Sequence, residues 1–306
     1  MADIRPILIK YILYLCAYLP LPILHGIGVC LGWGLLLIPN RSRQTSEINI
    51  ALCWPELSIR EQRTLLRKSL RETGKTIIET SALWLRPGDR ALRLIKRVDG
   101  NELVEQAIAK GSGAILATPH LGAWEAAGLY GSAHFKITCL YRPLKISELE
   151  NLVQNARNRL GGNYIPATAS GIRLLYKALD QGGAVAMLPD QEPKAGAGMF
   201  APFFGVPAYS MIFLARLAAR TDTPIIFAWC ERLPWGRGYH LHFRALPEGD
   251  HVDIHTAVTA TNQAVEDCVR ECPEQYQWSY RRFKTRPEGE ASFYKKKRPA
   301  IKQVDS

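Results

Sequence analysis

His120 stands where a chain of this kind can place a base. It follows Ala114–Ala117, a short apolar run of small and branched residues that reads as a buried strand. Thr118-Pro119 stops the run, Leu121–Ala123 make a turn, and Trp124 opens a helix with Glu125 in its first turn. An imidazole at a strand's carboxyl end, with a carboxylate five residues on, supplies a general base and a group to orient it. On one regular helix the two side chains would lie about 140° apart. They meet only if His120 sits on the turn before the helix, as Pro119 and Gly122 suggest. The plainer alternative is a satisfied strand-end histidine beside a glutamate favoured by the helix dipole. Two more sets of polar residues follow strand-like runs, Arg142 and the pair Asp190-Gln191. Functional groups in open α/β sheets gather outside the carboxyl ends of strands. A base, a fixed cation and an acid–amide pair converging there suit acyl transfer.

Other chemistries find less support. The chain has no G-x-S-x-G elbow, no G-x-x-x-x-G-K-[ST] phosphate loop and no G-x-G-x-x-G. His251, His255, Cys268 and Cys272 are each paired at i, i+4, wider than the C-x2-C spacing of structural zinc sites. We therefore expect neither a metal nor a cofactor. Seven scattered cysteines give no disulfide framework and point to a reducing compartment.

Positioning these groups requires an alternating fold. Helices are expected over 102–110, 124–132, 147–160, 171–180, 210–219 and 255–272. Strands are expected over 114–117, 136–141, 184–188, 224–229 and 239–243. This alternation predicts an α/β sandwich around a mainly parallel sheet, with the Tyr239 strand antiparallel. Ahead of it, Ser58-Ile-Arg-Glu61 is a capping box opening a long helix to about Leu85, basic in its early turns and closed by Pro87-Gly88. Residues 7–38 are the apolar extreme, split by Pro20 and Pro22. They read either as one kinked spanning helix or as two helices lying in one leaflet, and membrane association is the expectation.

The net charge of +11 asks for an acidic partner. Residues 281–302 hold nine Lys/Arg against two Glu, so much of the excess sits near the carboxyl end. Charge alone leaves open a non-enzymatic basic protein that binds membrane or nucleic acid, but no nucleic-acid module is evident.

His120-Leu-Gly-Ala-Trp-Glu125 resembles the H-x4-[DE] signature of membrane acyltransferases. Further blocks agree in order: Tyr141-Arg142-Pro143, Asp190-Gln191, Phe203-Phe204-Gly205-Val-Pro-Ala208, Ala215-Arg216-Leu217-Ala218, and Pro273-Glu-Gln-Tyr-Gln-Trp278 with Arg281-Arg-Phe-Lys-Thr-Arg-Pro287. Together they resemble the lipid A late-acyltransferase family, the lauroyl and myristoyl transferases. The resemblance implies a glycerophosphate-acyltransferase-like α/β fold, a mixed sheet flanked by helices with an N-terminal hydrophobic membrane-associating helical segment. It divides the chain into an anchor (1–40), an acyltransferase domain (41–290) and a basic tail (291–306). It implies transfer of a fatty acyl chain from acyl carrier protein to a hydroxyl of a 3-hydroxyacyl chain on an anionic, Kdo-bearing lipid A precursor. The place would be the cytoplasmic side of the bacterial inner membrane. By position, His120 is the base, Glu125 its partner, and Arg142, Asp190 and Gln191 bind substrate. His120-Leu-Gly-Ala and Arg142-Pro-Leu-Lys-Ile-Ser depart from the commoner family pattern, which leaves chain length and acceptor position open. Another membrane glycolipid or aminolipid is the alternative acceptor. Phe200, Phe203 and Phe204 are candidates for lining an acyl tunnel or for ordinary core.

Overall fold

The computed structural model describes residues 5–143, 147–246 and 253–294. Four helices come first: α1 (Arg5–Ala17), α2 (Leu21–Leu37), α3 (Arg41–Cys53) and α4 (Ile59–Leu85). Ser58 and Glu61 form the expected capping box at the start of α4. Then follow α5 (Gly88–Leu92), β1 (Ile95–Asp99), α6 (Glu102–Ala109), β2 (Ala114–Ala117), α7 (Trp124–Phe135), β3 (Thr138–Tyr141) and α8 (Ser147–Asn158). The second half holds β4 (Asn163–Pro166), α9 (Ala169–Asp180), β5 (Ala184–Met187), β6 (Gly198–Phe203), β7 (Val206–Met211), α10 (Phe213–Thr221), β8 (Ile225–Arg232), β9 (Tyr239–Ala245) and α11 (Ile254–Glu271).

Seven strands form a mixed sheet in the order β1-β9-β8-β2-β5-β3-β4. All neighbours are parallel except β8 and β9, so the Tyr239 strand is antiparallel to its inner neighbour as expected. The central strands β2 and β5 are buried at every residue, as a parallel sheet covered on both faces requires. One apolar cluster takes Ile115, Val185 and Phe227 together with Val265 and Val269 of α11. The other takes Leu116, Ala186 and Ile226 together with Val104 of α6 and Leu129 of α7.

The strands depart from expectation at the sheet edges and after β5. Edge strands β1 and β4 are short and only partly buried, too weak in alternation to read from sequence. The hairpin β6–β7 is a separate two-stranded sheet, and its second strand takes Ser210 and Met211 out of the helix expected over 210–219. Ser210 is buried there, donating to Ala208 O and accepting from Asn262 and Arg282. At the hairpin turn Phe204 takes φ +49 before Gly205, with its amide donating to Glu266.

The N-terminal apolar stretch is two helices that break before Pro20. Among the described residues no single helix is long and apolar enough to cross a membrane; α2 and α3 pass that test only jointly, across an 83° bend. Helix α2 lies hard against α4. A Cβ on Gly28 or Gly32 would sit 2.5 or 2.4 Å from a Cα of α4, and one on Gly74 would meet Gly28 O at 2.0 Å. Small residues at this spacing let two helix backbones touch.

Candidate active site

Two x-Pro steps place the chemistry. Ala117 at the end of β2 pairs in register with Met187 at the end of β5. Thr118-Pro119 follows one strand and Leu188-Pro189 the other, so His120 and Asp190 are each the third residue beyond neighbouring strands. His120 Nδ1 lies 2.8 Å from Asp190 Oδ1, and the His120 amide donates to Oδ2 at 3.0 Å. Asp190 is 2% exposed. Burial would raise its carboxyl, but the His120 ring and both hydrogen bonds hold it below the ordinary carboxylate range. An ionised carboxylate only accepts, so Nδ1 carries a ring proton and Nε2 is the nitrogen left for the cavity side.

The loop carrying His120 is pinned on three sides. Gly122 has φ +60, and a Cβ there would meet Cys230 O at 2.0 Å, so no other residue fits. Its amide donates to Gln275 O, the Ala123 amide to Cys230 O, and the Gln277 amide to His120 O. Arg232, buried in β8, donates to Gly122 O at 2.9 Å. His120 thus sits before α7, off the helix, as its spacing to Glu125 required.

Nε2 faces a cavity of about 400 Å³ whose lining includes His120, Trp124, Glu125, Arg142, Arg157 and Gln191. Gln191 Nε2 lies 3.2 Å from His120 Nε2 and donates to Gln277 Oε1 at 3.0 Å. The structure therefore brings His120, Glu125, Arg142 and Gln191 to the cavity surface and sets Asp190 behind His120, one layer back.

The pairing inside that set differs from expectation. His120 bonds Asp190 and Gln191, while both carboxylate oxygens of Glu125 accept from Arg157 of α8, at 3.2 Å from Nε and more closely from Nη2. Glu125 shares the cavity with His120 but is held by a guanidinium; Asp190 occupies the orienting position at Nδ1. The cause is the helix: α7 starts at Trp124, whose ring packs edge-on against His120 at 5.2 Å, and Glu125 one residue on is carried towards α8. Burial lowers and Glu125 raises the Arg157 guanidinium, and the net shift is upward. Arg142 is exposed on the cavity and makes no ion pair with Asp190, whose partner is His120. Phe203 and Phe204 are core residues. The apolar wall comes instead from Trp124, Ile137, Leu140, Met187 and Phe213.

Arg157, Arg232 and Gln277 escape sequence reasoning as site residues. Gln277 lies within the Pro273–Trp278 block, which is a signal of a kind, whereas the two arginines carry no local signal. Of the cysteine and histidine pairs considered for metal, His251 lies outside the described residues. Cys268 and Cys272 are buried at the carboxyl end of α11, and burial pushes both thiols up, Cys268 to about 12.

An imidazole backed by a buried carboxylate, with its other nitrogen turned to a partly apolar cavity beside the Gln191 amide, defines a site able to take a proton from a hydroxyl when the ring is neutral. The chain belongs to the bacterial lipid A biosynthesis acyltransferase family, which it matches over residues 6–285. It is 29% identical over 290 residues to the lipid A biosynthesis palmitoleoyltransferase of Escherichia coli K12, covering 92% of each chain. It is 30% identical, again over 290 residues and 92% of each chain, to the lauroyltransferase of the same strain. To the myristoyltransferase of that strain it is 26% identical over 284 residues, 90% of this chain and 84% of the relative.

Proposed function

We propose that the protein is an O-acyltransferase that moves a fatty acyl chain from acyl carrier protein to a hydroxyl of a 3-hydroxyacyl chain on a Kdo-bearing lipid A precursor. The observation that carries this reading is His120 Nε2, turned to the cavity with Asp190 at its back, in a member of this family. The acceptor oxygen loses its proton to Nε2 as it attacks the thioester carbonyl carbon. The C–S bond then breaks, and the imidazolium returns the proton to the departing thiolate. Asp190 stabilises the imidazolium between those events. General-base assistance of this kind is worth roughly 10²–10⁴ in rate. Glu125 acts by fixing Arg157 in the cavity wall, where that cation and Arg142 face the developing oxyanion or the acceptor's phosphate.

The surface suits both partners. Leu8, Tyr11, Leu15, Ile23, Leu31 and Trp33 of α1 and α2 are exposed large apolar residues on consecutive helices. Such a patch supports a membrane-resting segment, residues 1–40, lying in one leaflet of the inner membrane with the active site on its cytoplasmic side. Residues 41–290 then form the catalytic unit, and 291–306 a basic tail of which residues 295–306 lie outside the described ones. Exposed Arg60, Arg63, Arg67 and Lys68 line the early turns of α4. They offer an acidic carrier protein or an anionic lipid a matching charge.

Purified protein given a Kdo-lipid A precursor and a panel of acyl carrier protein thioesters tests the proposal. Acylated product, lost in His120→Ala, is expected; no product with any donor overturns it. Mass spectrometry of lipids from a deletion strain should show lipid A one acyl chain short. Unchanged lipid A with another glycolipid under-acylated would move the acceptor outside lipid A.

A further inference from the structure

Strand β9 projects His240 and His242 from one face, two residues apart, while Tyr239, Leu241 and Phe243 point the other way into the core. The strands on either side bring carboxylates to the same face. In the sheet register Asp99 of β1 stands beside His242, and Glu231 of β8 beside His240. His240 Nε2 lies 2.8 Å from Asp99 Oδ2, and His242 Nε2 lies 3.4 Å from Glu231 Oε2. The two imidazole centroids are 3.7 Å apart, and His242 stacks on Trp229 at 4.7 Å with 7° between the planes. One donor atom from each of Asp99, His240 and His242 lies within 4.8 Å of the others.

From this convergence we propose that Asp99, His240 and His242 form a binding site for a divalent transition ion of the zinc class, with Glu231 as fourth ligand or as hydrogen-bond acceptor orienting His242. Two imidazole nitrogens and a carboxylate oxygen are a donor set such ions take. Metal–donor distances near 2.0 Å put tetrahedral donors about 3.3 Å apart, so these must close by roughly 1.5 Å at most. Side-chain rotation on a rigid sheet supplies that, and the rings, largely but not wholly buried, keep some contact with solvent. Arg97 already holds both Asp99 oxygens, Nε donating to Oδ1 at 2.9 Å and Nη2 standing 2.7 Å from Oδ2, so the ion takes Oδ2 by displacing Nη2 while the Oδ1 bond fixes the carboxylate as outer-shell partners do. The site lies on the β1–β9–β8 edge of the sheet, while His120 follows β2, so its ion stands apart from the proton transfer at His120 and ties three strands together.

Full-length protein in detergent, stripped with a chelator, would be titrated with Co²⁺ followed by visible absorption, and with Zn²⁺ against a chromophoric chelator. One ion per chain at micromolar affinity or better is expected, and Zn²⁺ should raise the unfolding midpoint by mass action. His240→Ala/His242→Ala should weaken binding by about 100-fold or more, and Asp99→Asn by about tenfold or more. If the double variant does not fold, His242→Gln is read instead, with the same direction. Cys268→Ser/Cys272→Ser should bind as the parent does. No binding below millimolar Zn²⁺, equal binding in the histidine variants, or loss with the cysteine variant would overturn the assignment. So would Mg²⁺ binding at the affinity of Zn²⁺, which would mark a carboxylate-only site.

Discussion

Among the described residues two histidines lean on buried carboxylates, His25 and His120, and their surroundings differ. His25 of α2 sets Nε2 3.0 Å from Glu79, as His120 sets Nδ1 2.8 Å from Asp190. Around Glu79, however, the partners crowd. Arg232 donates through Nε and Nη2, and Tyr239 donates its hydroxyl at 3.1 Å. His25 is not among the residues lining the His120 cavity. The Glu79 cluster ties α2, α4, β8 and β9 together, and Arg232 passes that rigidity to the His120 loop through Gly122 O. Asp190 has fewer partners, and the histidine it holds turns its other nitrogen to the cavity, beside the Gln191 amide. A histidine–carboxylate pair is therefore no sign of catalysis by itself; a far ring nitrogen turned to a cavity that a substrate can enter is the distinguishing feature.

The sharpest way to break this contrast is to remove each imidazole in turn. His120→Ala should lower kcat by about 10²–10⁴ with the unfolding midpoint little changed. His25→Ala should do the reverse, losing stability while the folded fraction keeps its turnover. Equal losses of kcat in both would abolish the distinction. Asp190→Asn keeps the shape but removes the charge that stabilises the imidazolium, and a kcat loss of about 10² or more is expected. Glu125→Gln, measured beside it, should cost clearly less, because its partner is Arg157.

Glu79→Gln tests the structural member of the pair. Removing one side of a buried ion pair strands the other, at a cost of about 3–5 kcal/mol. The pH dependence carries a second signature. Burial alone would raise the Glu79 carboxyl, yet Arg232 and His25 bring it from the ordinary 4.5 down to about 2. Between those values the unfolded chain binds a proton that the folded chain does not, so stability falls as pH falls. This contribution is complete above about pH 4.5 and is lost by about pH 2. Denaturant midpoints taken across that window should slope less steeply in Glu79→Gln than in the parent. Parallel slopes would mean that Glu79 is not ionised in the fold.

Much of this was legible before the fold was. The all-buried β2 and β5 announced themselves as short apolar runs, and the capping box placed the start of α4 to the residue. His120 and Asp190 each follow an x-Pro step after such a run, which marked both as strand-end residues. What sequence did not show is that the two strands are neighbours in matched register. Only that register makes Asp190, distant in sequence, the partner of His120, while the nearby Glu125 turns to Arg157. Local spacing favoured the near carboxylate; sheet order chose the far one. The hairpin β6–β7 was missed for a related reason, since Ser210 is held in extended backbone by Asn262 and Arg282 from distant segments.

The smallest expected effect sharpens the contrast most finely. In the neutral ring with Nδ1–H given to Asp190, His120 Nε2 is an acceptor, and the Gln191 amide stands 3.2 Å from it as donor. Under the proposed mechanism that contact occupies the lone pair which the acceptor hydroxyl needs, so the substrate would have to displace it. A hydrogen bond of this kind is worth about 0.5–1.5 kcal/mol net, or roughly 2- to 10-fold. Gln191→Leu removes the competing donor at similar size and leaves Gln277 Oε1 without its partner. If Gln191 only holds the place of the substrate, kcat/KM should change by less than about tenfold, with kcat nearly unaltered. A fall in kcat approaching that of Asp190→Asn would instead make Gln191 a donor required in the transition state. The far nitrogen of His120 would then be bound to a protein partner throughout the reaction, and the difference between the two histidine sites would rest on the cavity alone.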